Sequence, residues 1–268
     1  MNSSLLRFIF FISFFTLFSL IEALLPRKQR LYKRIYRWPG NFSILISGTI
    51  AAGFIPFLLP AAAAVDAAEK GFGLFNVVSM PRALSFLLTL LILDIVIYFQ
   101  HRIFHIVPFL WRIHRMHHMD KDLDASSALR FHPFEIIISI VIKTASVWLL
   151  GASLGAVFVF EILLNSAAMF NHANIYIPLS ADSIIRKIIV TPDMHRIHHS
   201  VHRKETDSNF GFSLSWWDFI FKSYTDNPKD GQDNMKIGLK GFDSRKIQQF
   251  YWMLLSPFLN RNNIQTEK

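Results

Sequence analysis

Of 268 residues, 52% are hydrophobic and only 18% charged, with 27 phenylalanines and a mean hydropathy of +0.32, which removes the chain from the soluble class. Cysteine is absent, so disulfides, thiolate-held haem and iron–sulfur clusters are excluded, and any metal must be held by nitrogen or oxygen. The net charge of +9 lies beside apolar runs instead of on a separate soluble face, which favours anionic lipid headgroups over nucleic acid as its counterpart.

The first apolar run, Phe8–Leu25, is about one membrane thickness long, since roughly 20 residues cross a bilayer. One arginine precedes it, and Arg27, Lys28, Arg30, Lys33, Arg34 and Arg37 follow. A signal peptide would show the reverse asymmetry and a small-residue cleavage site. A retained helix is therefore expected, N-terminus outside and basic loop in the cytoplasm. Those charges either set topology alone or also anchor headgroups or dock an acidic electron donor.

Asn41–Val65 reads as a second span, with Pro56 and Pro60 tolerated because neighbouring helices can satisfy the freed carbonyls. A loop over Asp66–Arg82 leads to a third span, Ala83–Gln100. That span contains Asp94, and a carboxylate in a membrane helix is costly enough to suggest function, the alternative being a structural pairing with a residue such as Lys143. Asp94, Tyr98, His101 and His105 recur on one helical stripe, which places the acid about 10 Å deeper than His101.

Phe134–Leu150 and Ala152–Phe170 form a tight helical hairpin about Gly151, returning Asn171, His172 and Asn174 to the side of the first histidines. Ser180–Val190 reads as interfacial, with Ile184, Ile185, Ile188 and Ile189 on one face and Arg186 and Lys187 on the other. Thr191-Pro192-Asp193 supplies a capping hydroxyl, a first-position proline and a first-turn acid, together a helix start. After His202 the chain is polar and aromatic without another span, and Arg261–Lys268 is expected to be disordered.

All eleven histidines lie between 101 and 202, five of them in the stretch HRIFHIVPFLWRIHRMHH from His101 to His118. Residues three and four apart share a helix face, so His101 and His105 project together, as do His114, His117 and His118, and then His195, His198 and His199. Neutral imidazole suits iron, copper, zinc and nickel. The H-E-x-x-H of zinc proteases and the paired Glu-x-x-His of ferritin-like sites do not occur. A structural zinc takes four ligands. The surplus fits a centre for two metal ions held almost wholly by nitrogen. One box would be weak evidence; three in order, each at or near the end of an apolar helix, are not explained as satisfied polar residues.

The motifs HRIFH (101–105), HRMHH (114–118), RFHP (130–133), NHAN (171–174), TPDMHRIHH (191–199), and NFG with WWDFIF (209–221), occur in one order. In this the chain resembles the fatty acid hydroxylase / sterol desaturase superfamily of membrane non-haem di-iron enzymes, most of all its bacterial sterol desaturase-like branch. The likeness runs from about Ala83 to the C-terminus; the first two spans carry no identifying residues.

The resemblance implies an all-α polytopic membrane bundle of about four to five spans with a cytoplasmic histidine-rich helical cap. It divides the chain into N-terminal helices and basic loop (1–82), catalytic domain (83–225) and cytoplasmic C-terminal segment (226–268). It implies that His101, His105, His114, His117, His118, His172, His195, His198 and His199 ligate two iron ions. His132 and His202 stay open between ligation and orienting a ligand ring, and Asp94, Asn174, Asp193 and Asp218 are candidate orienting partners. Phe210 stands where the family often has tyrosine, and Lys222-Ser223 where Gly-Thr is common.

The implied activity is hydroxylation or desaturation of an unactivated C–H bond of a lipid that enters from the bilayer, a sterol, a fatty acyl chain or a related molecule. O2 is the co-substrate. The chain has no cytochrome b5-like or flavin-binding segment, so electrons come from a separate protein. A bacterial inner membrane with the catalytic side cytoplasmic is the implied location. The competing reading is a histidine-rich metal transporter or metal-binding protein. Transport ligands belong near the bilayer midplane between broken helices, whereas these boxes sit at helix ends.

Overall fold

A computed structural model describes residues 3–242 and 245–259, and every regular element among them is a helix. The stretch expected to be disordered, Arg261–Lys268, lies outside the described residues. The helices that position the site are α1 (Ser3–Leu24), α2 (Arg34–Gly53), α3 (Pro60–Glu69), α4 (Arg82–Ile106), α5 (Pro108–His118), α6 (Pro133–Leu150), α7 (Leu154–His172), α8 (Pro192–His198) and α9 (Phe250–Leu255).

Four of them, α1, α4, α6 and α7, are long and apolar enough to cross a membrane. Their outward faces leave Phe8, Leu20, Leu87, Ile103, Leu149 and Leu163 exposed. So wide an apolar belt is stable only against hydrocarbon or a partner, and with helices of this length it marks a multi-pass membrane protein.

The expected span Asn41–Val65 is broken. α2 ends at Gly53, a 3₁₀ turn occupies Pro56–Leu58, and α3 begins at Pro60. Each proline lacks an amide donor and crowds the carbonyl one turn back, and the residue before it is driven out of the helical region; Leu59 is extended, with ψ 142°. The carbonyl of Leu58 freed by the break accepts the Thr144 hydroxyl of α6. α2 and α3 both pack on α6.

The α6–α7 hairpin forms as its single glycine suggests. Gly151 caps α6 at φ 63°, a left-handed conformation, and a Cβ there would approach the Phe72 carbonyl to 2.7 Å. The 66–82 connection is thus held down: Phe72 stacks on Trp148 with ring centroids 3.8 Å apart, and Trp148 Nε1 donates to Asp66 at 2.9 Å.

Two apolar clusters fill the bundle, one around Leu93, Ile97, Val147 and Phe160, the other around Phe15, Ala125, Leu129 and Met169; Phe212 packs against both. At the end above them the basic loop folds back. Arg27 pairs with Asp193 (3.0 Å) and Asp233 (2.5 Å), Arg30 and Arg34 with Glu22 (3.1 and 2.5 Å), and Arg37 with Asp120 (2.7 Å) and Asp124. Four of the six charges read as topological or docking groups are therefore committed inside the protein. Burial pushes the Asp120 carboxyl up, but Arg37 and Arg130 together draw it below the ordinary carboxylate range.

A short helix, Leu179–Ile185, leaves Ile184, Ile188 and Ile189 exposed as an interfacial segment would. Arg186, expected on its polar face, is instead buried between Asp182 and Asp226, because a desolvated guanidinium needs anionic partners.

Candidate metal centre

The last turns of α4 carry Asp94, Tyr98, His101 and His105 on one buried stripe, as their spacing requires. Val107 then turns the chain, and Pro108 occupies the first position of α5, whose inner face holds His114, His117 and His118. His172 closes α7. Thr191 Oγ1 accepts the Met194 amide at 3.3 Å and starts α8, which presents His195 and His198, with His199 as its cap.

Nine imidazoles meet at this end of the bundle in two groups. His101, His105, His114, His118 and His198 form one; His117, His172, His195 and His199 form the other. Within each, the ligand atoms lie within 4.8 Å of one another. α5 and α8 serve both groups. Residues four apart, such as His114 and His118 or His195 and His199, point the same way, while the remaining member of each box is rotated by one or three residue steps of about 100° and enters the other group. The H-x2-H-H spacing is therefore what a helix needs to straddle two neighbouring sites. The groups are adjacent: the His118 and His199 rings stack with centroids 4.4 Å apart.

In the second group His172 Nε2 lies 2.9 Å from His117 Nε2 and 3.1 Å from His195 Nε2, and His195 Nε2 lies 3.2 Å from His199 Nε2. In the first, His114 and His118 approach Nε2 to Nε2 at 3.2 Å. Ligand nitrogens about 2.0–2.1 Å from one metal ion fall about 3 Å from each other. Backing groups set the tautomers. Nδ1–H of His101 donates to Phe210 O (2.9 Å), of His114 to Glu135 (2.7 Å), of His172 to Ala168 O (2.7 Å), of His198 to Ser208 O (2.7 Å), and of His105 to Asp207 (3.3 Å). Each bond leaves the Nε2 lone pair for another partner, and the buried Nε2 atoms of His101, His105 and His198 have none in the protein.

Burial, reinforced by the neighbouring rings, holds His117, His118, His195 and His199 well below the ordinary imidazole range. Burial of His198 outweighs its bond to Ser208 and pushes it down to about 3. These five rings are thus neutral at pH 7, the state that ligates. Nine converging buried rings, five of them with the tautomer fixed by a backing acceptor, fit a metal-holding centre.

His132 and His202 belong to neither group. His132 caps α6, accepting the Phe134 amide at 3.2 Å and donating to Leu254 O at 3.0 Å, and His202 pairs with Asp230 at 2.7 Å. Asp94 accepts Trp217 Nε1 (2.8 Å) and the Leu214 amide (3.2 Å), with no bond to Lys143. Asn174 brackets Lys28 through its amide and carbonyl (3.0 and 2.7 Å), and Asp193 pairs with Arg27 and Arg196. These three hold loops beside the site and form no hydrogen bond to any of the nine rings.

Asp218 acts one step removed. It accepts the Phe210 and Gly211 amides, each at 2.8 Å, and so fixes the carbonyl that receives His101. This links the WWDFIF and NFG motifs to the histidines. Glu135, Asp207 and the carbonyls of Phe210, Ser208 and Ala168 were not foreseen. Glu135 carried a legible signal, an acid two residues after the RFHP box in an otherwise apolar run; main-chain carbonyls carry none.

The fatty acid hydroxylase family model matches residues 86–223, just over half of the chain. The chain belongs to that family. An ornithine lipid hydroxylase of Rhizobium tropici is 28% identical over 173 residues, covering 63% of this chain and 51% of the relative. Alkylglycerol monooxygenases of Homo sapiens and Xenopus tropicalis are 29% and 28% identical over 56% and 63% of this chain, and 33% and 36% of their own lengths. The chain spans about half the length of these relatives or less. No solved structure matches. Within this fatty acid hydroxylase family member, the matched region contains all nine converging histidines together with Glu135, Asp207 and Asp218.

Proposed function

We propose that the protein is an O2-dependent lipid hydroxylase. One metal is held by His101, His105, His114, His118 and His198, and the other by His117, His172, His195 and His199. The observation that carries the reading is the convergence of these nine buried rings in two adjacent groups at one end of an apolar bundle. Iron suits the nitrogen set and the family. Two bound irons, reduced by a separate electron-donor protein, would supply the O2 activation needed to oxidise an unactivated C–H bond.

The chain's own residues position, shield and orient. Phe131 stacks on His117 with centroids 4.8 Å apart, and Phe212 lies against His101 and His195. Because Phe212 also packs against both apolar clusters, the side of the centre facing the bundle is hydrocarbon-like, suited to an alkyl chain entering from the bilayer. Glu135, Asp207 and the carbonyls behind the rings keep the Nε2 atoms directed inward.

The relatives' names favour hydroxylation over desaturation and a lipid with an alkyl or acyl chain as substrate. The basic residues that follow α1 lie at the histidine end and support its placement in the cytoplasm of a bacterial cell, at the inner membrane. Lipid profiling of cells with and without the gene, grown under isotopically labelled O2, should show a lipid carrying one labelled oxygen that disappears in the deletion strain and is not restored by His199→Ala. A lipidome unchanged by deletion would refute the reading.

A further inference from the structure

Beside the histidines, on the face built by the basic loop and the C-terminal segment, lies a cavity of about 530 Å³. Its wall carries Lys28, Arg30, Lys121, Arg196, Lys236 and Lys240 against a single acid, Asp122. That acid is already occupied, accepting the Leu31 and Tyr32 amides at 2.8 Å each. The hydroxylation proposed above uses none of these residues.

Arg196 is the most informative of the six. It is 1% exposed, it pairs through Nη1 with Asp193, and its buried Nη2 has no hydrogen-bond partner. Asp193 is shared with Arg27, which also pairs with Asp233, so Arg196 has only a shared carboxylate as its partner. Lys28 is held below the usual lysine range by burial, and then by Arg196 and Arg27. Arg30 is paired with Glu22, but Lys28, Lys236 and Lys240 have no carboxylate partner among the described residues, and a buried donor of Arg196 that would be costly to leave unmade belongs to the same wall. An anion with several acceptor oxygens answers both, and guanidinium and ammonium groups together suit phosphate. Leu123 and Ile237 add apolar surface, and the volume falls in the range of organic-ligand sites.

The cavity abuts the elements that bear the four-histidine group. Arg196 is flanked by His195 on α8, and the amide of Gly238, between the wall residues Ile237 and Leu239, donates to His199 O at 3.0 Å. We propose that this cavity binds the phosphoryl group of an organic ligand, either a phospholipid headgroup or a soluble organophosphate. A bound phosphoryl group would neutralise the wall, satisfy Arg196 and tie the C-terminal segment to α8.

The test uses the full chain purified in a phosphate-free maltoside detergent. Glycerol 3-phosphate and lysophosphatidate are titrated calorimetrically at constant ionic strength, with glycerol and monoacylglycerol as their neutral counterparts. At least one phosphorylated ligand should bind tenfold or more tightly than its counterpart. The exposed double variant Lys236→Glu/Lys240→Glu should weaken it at least tenfold, as should Lys28→Gln. Binding of glycerol 3-phosphate assigns a soluble ligand; binding of lysophosphatidate alone assigns a headgroup. Phosphorylated and neutral ligands binding alike would overturn the proposal. So would a phosphate affinity unchanged in both variants, which would place the anion elsewhere, on the metal centre included.

Discussion

Glu135 offers a sharp test because it backs one ring of one group. Its carboxylate takes the Nδ1–H of His114 at 2.7 Å, and both side chains are buried. Glu135→Gln keeps an acceptor oxygen in place but removes the charge that raises the ring's donor strength, while Glu135→Ala also strands a buried N–H. Loss of such a backing group lowers metal affinity about 10–100-fold, which is about 1.4–2.8 kcal/mol at about 1.4 kcal/mol per tenfold. The Gln variant belongs at the low end and the Ala variant at the high end. Since His114 is in the five-histidine group, only one of the two ions should loosen. In a chelator titration followed by metal analysis, wild-type protein should release its metal late. Glu135→Ala should release about half of it at chelator concentrations some hundredfold lower. Release indistinguishable from wild type, or loss of both ions together, would refute the reasoning.

Arg37 is fully buried between Asp120 and Asp124, so Arg37→Ala leaves two carboxylates without their cation and should cost about 3–5 kcal/mol in detergent-phase unfolding, with Arg37→Lys recovering only part. Lys222 stands at φ 56°, where glycine is common in the family; Lys222→Gly should relieve about 1–2 kcal/mol of left-handed strain against about 0.5–1 kcal/mol of added chain entropy, a net gain of about 1 kcal/mol in thermal unfolding. Burial outweighs three hydrogen bonds and pushes the Asp218 carboxyl from 3.8 up to about 6. The folded state therefore holds the extra proton, and the contribution of Asp218 to stability should be greatest below about pH 4, fall by about 3 kcal/mol as pH rises to about 6, and level off above; the difference in unfolding free energy between wild type and Asp218→Asn measured against pH should show that step.

The apolar runs, the α6–α7 hairpin at Gly151 and the start of α8 at Thr191 were legible because each rests on local rules of length, left-handed glycine and capping. Helical spacing made legible which helices present histidine boxes, but the set of nine with His172 came from the family resemblance, and the division that sends His117 and His198 into opposite groups from their box neighbours was not legible. The broken second span was not legible either, although its prolines were noted: hydropathy alone does not say whether two prolines bend a helix or end it, and the Thr144 hydroxyl that donates to the freed Leu58 carbonyl comes from a distant helix. The ion pairs of the basic loop were not legible for the same reason. Glu22, Asp120 and Asp193, the anions that claim its arginines, are distant in sequence or sit within runs that read as something else.

The central claim is that imidazoles from α4, α5, α7 and α8 hold two metal ions side by side. Metal analysis of protein purified after growth in iron-replete medium measures this directly, with His198→Ala and His172→Ala set beside the wild type. The account predicts about two irons per chain in the wild type and about one in each single variant, lost from different groups. One ion or none in the wild type, or full metal content in both variants, would contradict it.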